Sequence, residues 1–156
     1  MIVEEMTVEE SRALLARASS GRLGCSLDNQ PYIVPICLAY ERDHIYVFST
    51  FGRKIEWMRL NSKVCIQTDE IITPSDWASV IADGQYQELS EPKFESDRAH
   101  ARELLEKRSQ WWLNALAERR QESHSDLSIE PLFFRIKVDS ITGLRARTEK
   151  EGSGGG

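Results

Sequence analysis

Ser49-Thr50-Phe51-Gly52-Arg53-Lys54 places two hydroxyls, a glycine and two cations in six residues, between a β-like apolar run and a segment of helical spacing. A helix start exposes N–H groups that lack intrahelical partners, together with the positive end of the helix dipole. A phosphate set there gains hydrogen bonds and charge at once. Ser49 and Thr50 could donate from their hydroxyls, Arg53 and Lys54 could form charge-assisted bonds, and Gly52 would let the backbone turn closely. The same composition also occurs at ordinary solvated helix starts, so by itself the stretch leaves a phosphate site and a surface turn both open. GxxxxGK[ST] is absent, and no GxGxxG follows a strand, which disfavours triphosphate and dinucleotide loops.

Other reactive residue types are scattered. His44, His100 and His124 lack ligand-like spacing and are read as turn or surface residues, so no metal is expected. Ser123-His124-Ser125-Asp126 sets nucleophile and base types side by side, but a catalytic triad is a spatial arrangement and this stretch reads as a polar loop. Glu4-Glu5 and Glu9-Glu10 flank a helix start, where carboxylates are favourable without any catalytic role. Cys25, Cys37 and Cys65 form an odd set in apolar, strand-like surroundings and read as reduced core residues.

Positioning such groups requires a folded core, and 156 residues with 40% hydrophobic content suit one domain, taken as 1–148 with a flexible Gly/Ser tail at 149–156. Charged residues of both signs and a net charge of -5 describe an ordinary surface, and nucleic acid is not an expected partner. The acidic N-terminus is unlike a signal peptide and no apolar run reaches membrane-spanning length, so the expected compartment is the cytoplasm, with no membrane.

Thr7 and Glu10 form a capping box, with Val8, Leu14, Leu15 and Ala18 on one side of a helix ending near Gly21. Three strands follow, RLGCSLD, PYIVPICLAY and HIYVFS, separated by polar turns at Asp28-Asn29-Gln30 and Glu41-Arg42-Asp43. Pro31 and Pro35 lack ladder donors, which predicts an edge or a bulge in the second of them. GRKIEWMRLN reads as a short helix, KVCIQTDEII and WASVIADGQYQEL as strands, with Gly84 marking a bulge or bend in the latter. Residues 96–121 read as the longest helix through Ala101, Leu104, Leu105, Trp112, Ala115 and Leu116. PLFFRIKVD and ITGLRART supply one or two closing strands. The order is α+β, and six or so short strands fit a small closed or partly open barrel.

The succession GRLGCSLDNQPYIVPICLAY, HIYVFSTFGRKIEWMRLNSKVCIQ, WASVIADGQYQEL resembles the pyridoxamine 5′-phosphate oxidase-related FMN-binding proteins, and among them the nitroimidazole-resistance type. The resemblance implies a mainly antiparallel split β-barrel of about six strands, Greek-key type, with flanking helices. It further implies a homodimer with FMN at the subunit interface. Ser49, Thr50, Arg53 and Lys54 match the phosphate-binding segment. Val34, Pro35 and Ile36 match the strand against the isoalloxazine ring, where backbone N–H groups or a nearby cation would stabilise negative charge. Trp77 and Ser79 match a segment reaching the site from a neighbouring strand or subunit. Phe48 stands beside Ser49 where a histidine is frequent in the nitroimidazole-type relatives. The helix around Trp111-Trp112 is an elaboration that either packs core or interface or stacks on substrate. The implied activity is electron or hydride transfer from a reduced nicotinamide donor to a small oxidised acceptor such as a nitro compound or quinone. A non-catalytic flavin or haem binder, storage protein or sensor, and a deazaflavin-dependent reductase, are the alternatives.

Overall fold

A computed structural model describes residues 1–108 and 132–149. The capping box at Thr7 is complete: its hydroxyl accepts from the Glu10 N–H at 3.1 Å, and the Glu10 carboxylate accepts from the Thr7 N–H at 3.2 Å. Helix α1 (Val8–Arg17) buries Ser11, Leu14 and Leu15, while Val8 is exposed. It stops earlier than expected because the chain is already extended at Ser20. Gly21 is a strand residue, where a Cβ would stand 2.6 Å from the Gln67 carbonyl oxygen. Close approach of two strands, rather than a helix stop, explains that glycine.

The sheet strands are β1 (Ile2–Glu5), β2 (Ser20–Leu27), β3 (Gln30–Glu41), β4 (His44–Ser49), β5 (Lys63–Thr73), β6 (Asp76–Glu88) and β7 (Leu132–Arg147). Among the described residues they form one antiparallel sheet in the order β1-β7-β4-β3-β2-β5-β6, and β6 returns to pair with β7. Six strands thus close a barrel, as expected, with β1 appended along the end of β7. This seventh strand was not anticipated, because its partner lies about 140 residues away and no local signal announces it. The two hairpin turns carry positive φ at Asp28, Asn29, Arg42 and Asp43, residues that supply the backbone twist a two-residue hairpin needs.

Helix α2 (Arg53–Leu60) follows β4, and α3 (Glu95–Glu106) lies between β6 and β7. The helix expected over 96–121 runs in the described residues from Glu95 to Glu106, with Lys107 as its C-cap and a turn at 107–108. Trp111, Trp112, Ala115, Leu116 and the 123–126 loop lie outside the described residues. The barrel interior is filled from every strand but β1, including Leu23, Ile36, Leu38, Val47, Ile66, Ala82 and Phe134. Leu15 of α1 and Ile55 and Met58 of α2 join the same cluster. On the outer face α3 covers Cys37, Ala39, Tyr46 and Phe133 with Ala101 and Leu105. Cys25 and Cys37 are buried and Cys65 is half-buried; all three are free thiols, and burial pushes that of Cys37 up to about 11. Among the described residues no helix is long and apolar enough to cross a membrane.

Candidate functional site

Strand β3 decides how the site is built. It runs beside β2 from Gln30 to Cys37 without a register shift, but β4 pairs only with Leu38–Glu41. The first half of β3 therefore has an open edge. The Leu38 N–H donates to the Ser19 carbonyl at 3.1 Å, so even-numbered residues of β3 turn their backbone groups toward β2 and odd-numbered ones turn away. Pro31 and Pro35 both fall in the odd set. Their missing donors face the open edge and cost the ladder nothing, which is the edge solution, with no bulge. In the strand expected to lie against the ring, the N–H groups of Val34 and Ile36 point into the β2 ladder instead of outward, and the donors directed along the open side belong to Ile33 and Cys37. Side chains alternate too, with Val34 and Ile36 packed into the barrel and Pro35 exposed on the outer face.

The 49–54 corner sits where β4 ends. Ser49 is buried, and its hydroxyl donates to the Thr50 carbonyl at 3.0 Å, so that donor is directed locally. Gly52 caps α2 in extended backbone (φ 177°), a conformation open to any residue. Its contribution is therefore not a special turn. A Cβ there would meet no atom within 4 Å, so the space in front of the helix start is open. Ile55 and Met58 are buried and fix α2 against the barrel. Lys54 is half-buried with no carboxylate partner among the described residues, and burial lowers its amine pKa, partly offset by Cys25. Arg53 is exposed, its guanidinium 5.8 Å from the centre of the Tyr32 ring, which in turn packs 5.7 Å from Trp57. A half-buried cation beside empty space and unpaired helix N–H groups is the arrangement an anion completes.

Phe48 is half-buried on the opposite side of β4, its ring 5.2 Å from Phe133 at the α3-covered face. It packs there instead of lining the corner. Trp77 and Ser79 lie on the outer face of β6, opposite Ile71 and Asp69 of β5. That face carries a polar chain: Arg22, across from Pro35, contacts Gln67 at 3.3 Å, and Gln67 donates to Asp69 at 2.8 Å and Ser79 at 3.0 Å. Ser79 is thus within three strand spacings of Pro35. The corner is elsewhere. Glu88, at the far end of β6, bonds Arg59 of α2, and Trp77 stands eleven residues back from Glu88, about 36 Å at ~3.3 Å per residue. Within one chain, Ser49–Lys54 and Trp77 belong to opposite ends of β6.

The residues that sequence reasoning missed are Tyr32, Trp57 and Arg59. The first two form the aromatic wall under Arg53, and Arg59 sits over Phe51. Tyr32 and Trp57 read equally well as core, and only the crossing of β3 and α2 brings them together.

Three comparisons bear on this geometry. A family model described as pyridoxamine 5′-phosphate oxidase matches residues 7–145. An uncharacterized protein of Rhizobium meliloti is 39% identical over 147 residues, covering 94% of this chain and 97% of its own length. A FAD-binding protein from Mesorhizobium loti superposes with a TM-score of 0.77 at 37% identity, over 94% of this chain and 99% of that one. A candidate 5-nitroimidazole antibiotic resistance protein from Bacteroides thetaiotaomicron shares the fold, with a TM-score of 0.65 at 20% identity over 93% and 89% of the two chains.

Proposed function

Because the chain belongs to the pyridoxamine 5′-phosphate oxidase family, we propose that it binds FMN and uses it to pass electrons from a reduced nicotinamide donor to a small oxidised acceptor, a nitro compound, quinone or similar molecule. The observation that carries the binding half of this reading is Lys54: half-buried near Cys25 at the start of α2, next to a Gly52 whose Cβ position is unobstructed, and without a carboxylate partner among the described residues. A cation left in that state favours an anionic ligand, and a terminal phosphate ester satisfies it.

Each protein group then has a limited task. Lys54 and Arg53 neutralise the ester, first-turn N–H groups of α2 donate to it, and the open edge of β3 offers Ile33 and Cys37 as backbone donors. When bound, the flavin supplies the redox chemistry itself, so few protein acids or bases are needed. Trp77 and Ser79 complete the site from a second copy of the chain, since one chain holds them apart from the corner. A second reading follows from the Mesorhizobium loti relative, which binds FAD. FAD carries the same isoalloxazine ring but has a diphosphate where FMN has a terminal ester.

Flavin released from the purified protein by denaturation and identified by mass distinguishes the two; FMN is expected. Lys54→Ala should weaken FMN binding by about tenfold to a hundredfold, the worth of one charge-assisted bond of ~1.5–3 kcal/mol. Riboflavin, without the ester, should change less than about twofold. Equal losses for both ligands would remove the phosphate assignment. Bleaching of the yellow protein by a reduced nicotinamide, with recovery on adding an acceptor, is the expected sign of turnover; a bound flavin that neither donor nor acceptor alters leaves a storage or sensing role.

A further inference from the structure

Helix α2 begins without a side-chain cap, since Gly52 has none to offer. Something else must hold the turn that aims Arg53, Lys54 and the first N–H groups. Arg59, in the last turn of α2, reaches in two directions. Its guanidinium lies 5.2 Å from the centre of the ring of Phe51, the residue just before the Gly52 cap. The same group makes two parallel bonds to Glu88 at the end of β6, Nε to Oε1 at 2.8 Å and a terminal nitrogen to Oε2 at 3.1 Å. Tyr86 donates its hydroxyl to Glu88 Oε1 at 2.7 Å, so the carboxylate is held from the barrel side as well. The helix end is pinned separately, by Asn61 Nδ2 donating to the Ser26 carbonyl at 2.9 Å. Phe51 itself is 57% exposed, and its contact with Arg59 is the ring interaction it makes among the described residues.

We infer that Arg59 is a positioning residue of the phosphate site: fixed to Glu88, it seats Phe51 and so sets the direction in which the start of α2 faces. The inference rests on the phosphate reading of the corner. An exposed ion pair serving stability alone contributes little. It would affect every ligand alike. A bidentate arginine stacked on a ring defines a geometry instead, which a lysine's point charge cannot reproduce.

The test uses the full chain freed of flavin, titrated with FMN and with riboflavin, and Lys54→Ala as the reference for the phosphate reading. Arg59→Met is expected to weaken FMN about tenfold, or ~1.4 kcal/mol, and riboflavin by less than about twofold. Arg59→Lys should recover less than half of that loss on a logarithmic scale. Glu88→Gln keeps the side chain's shape and should lose FMN affinity in the same direction, so the inference stays testable if Arg59→Met folds poorly. Phe51→Ala combined with Arg59→Met should be no weaker than the worse single variant, because both act through one contact. Equal losses of FMN and riboflavin in these variants, or no loss while Lys54→Ala retains its selective effect, overturn the inference and leave the phosphate site standing. Loss of selectivity in Lys54→Ala as well removes both.

Discussion

Gly84 shows how one residue's size shapes the barrel. The register between β6 and β7 slips there, so that Asp83 faces Ser140 but Gly84 faces Val138, and the additional residue, Asp139, is on β7. A Cβ on Gly84 would fall on the Lys137 carbonyl and stand 2.8 Å from Ile136 Cγ2. Two backbones touch where the sheet bends, and nothing flexible can yield. Gly84→Ala should therefore destabilise by at least the ~1–3 kcal/mol of an overpacked core, read as a lowered denaturant midpoint in urea unfolding; an unchanged midpoint would mean that the strands separate freely. The glycine was legible in the sequence as an interruption of a long alternating strand. Which strand carries the additional residue was not, because the slip is defined only by pairing with β7. The corner behaves alike: Arg53 and Lys54 were legible from type and order, whereas the inward turn of the Ser49 hydroxyl and the irrelevance of Gly52's φ depend on coordinates no spacing reports.

At the scale of elements, legibility follows how local the cause is. The strands of β2, β3 and β4 and the helix α2 are set by alternation, turn residues and apolar spacing, all within ten or so residues, and they stand where expected. Strand β1 is held by β7 and by a cluster in which Arg145 pairs with Glu4 and Glu10, contacts from the other end of the chain. The attachment of α2 to β6 is equally nonlocal, and it carries a pH signature. The bonds from Arg59, followed by that from Tyr86, hold the Glu88 carboxyl below its ordinary value of 4.5, with partial burial opposing. A folded value lower than the unfolded one contributes stability that is present above about pH 4.5 and lost as pH falls through the folded value. Tyr86, pushed upward by burial and by that carboxylate, stays protonated throughout this window. Glu88→Gln should thus be less stable than the parent at neutral pH, with the gap in Tm narrowing as pH falls from about 4.5 through the lowered folded value. A gap that stays constant across that window would show that Glu88 acts by shape rather than charge.

At the scale of the whole molecule, and among the described residues, the barrel has one outer surface that α3 covers and one that no described element covers. The open part runs from Ile33 and Pro35 on β3 across Arg22, Gln67 and Asp69 to Trp77, Ser79 and Ile81 on β6 and Leu144 on β7, side chains that the register places on one face. Ile33 is 69% exposed, Ile71 69%, Ile81 44% and Leu144 47%, apolar side chains set around the Arg22-Gln67-Asp69-Ser79 chain, a mixed face of the kind that non-obligate interfaces bury. The proposed second copy of the chain accounts for this surface and for the distance between Trp77 and the corner with a single assumption. Ile81 lies near the middle of the face, opposite Gln67 on one side and Thr142 on the other. Ile81→Glu would bury a charge without a partner in such a contact, a penalty of several kcal/mol after relaxation. Sedimentation should show the parent as a dimer at micromolar concentration and the variant shifted to monomer, with flavin lost in parallel because each site then lacks the partner's Trp77 and Ser79. The dependence on both copies is the point at issue: an Ile81→Glu monomer that keeps its flavin as tightly as the parent would mean that one chain builds the whole site, and that the open face serves some other contact.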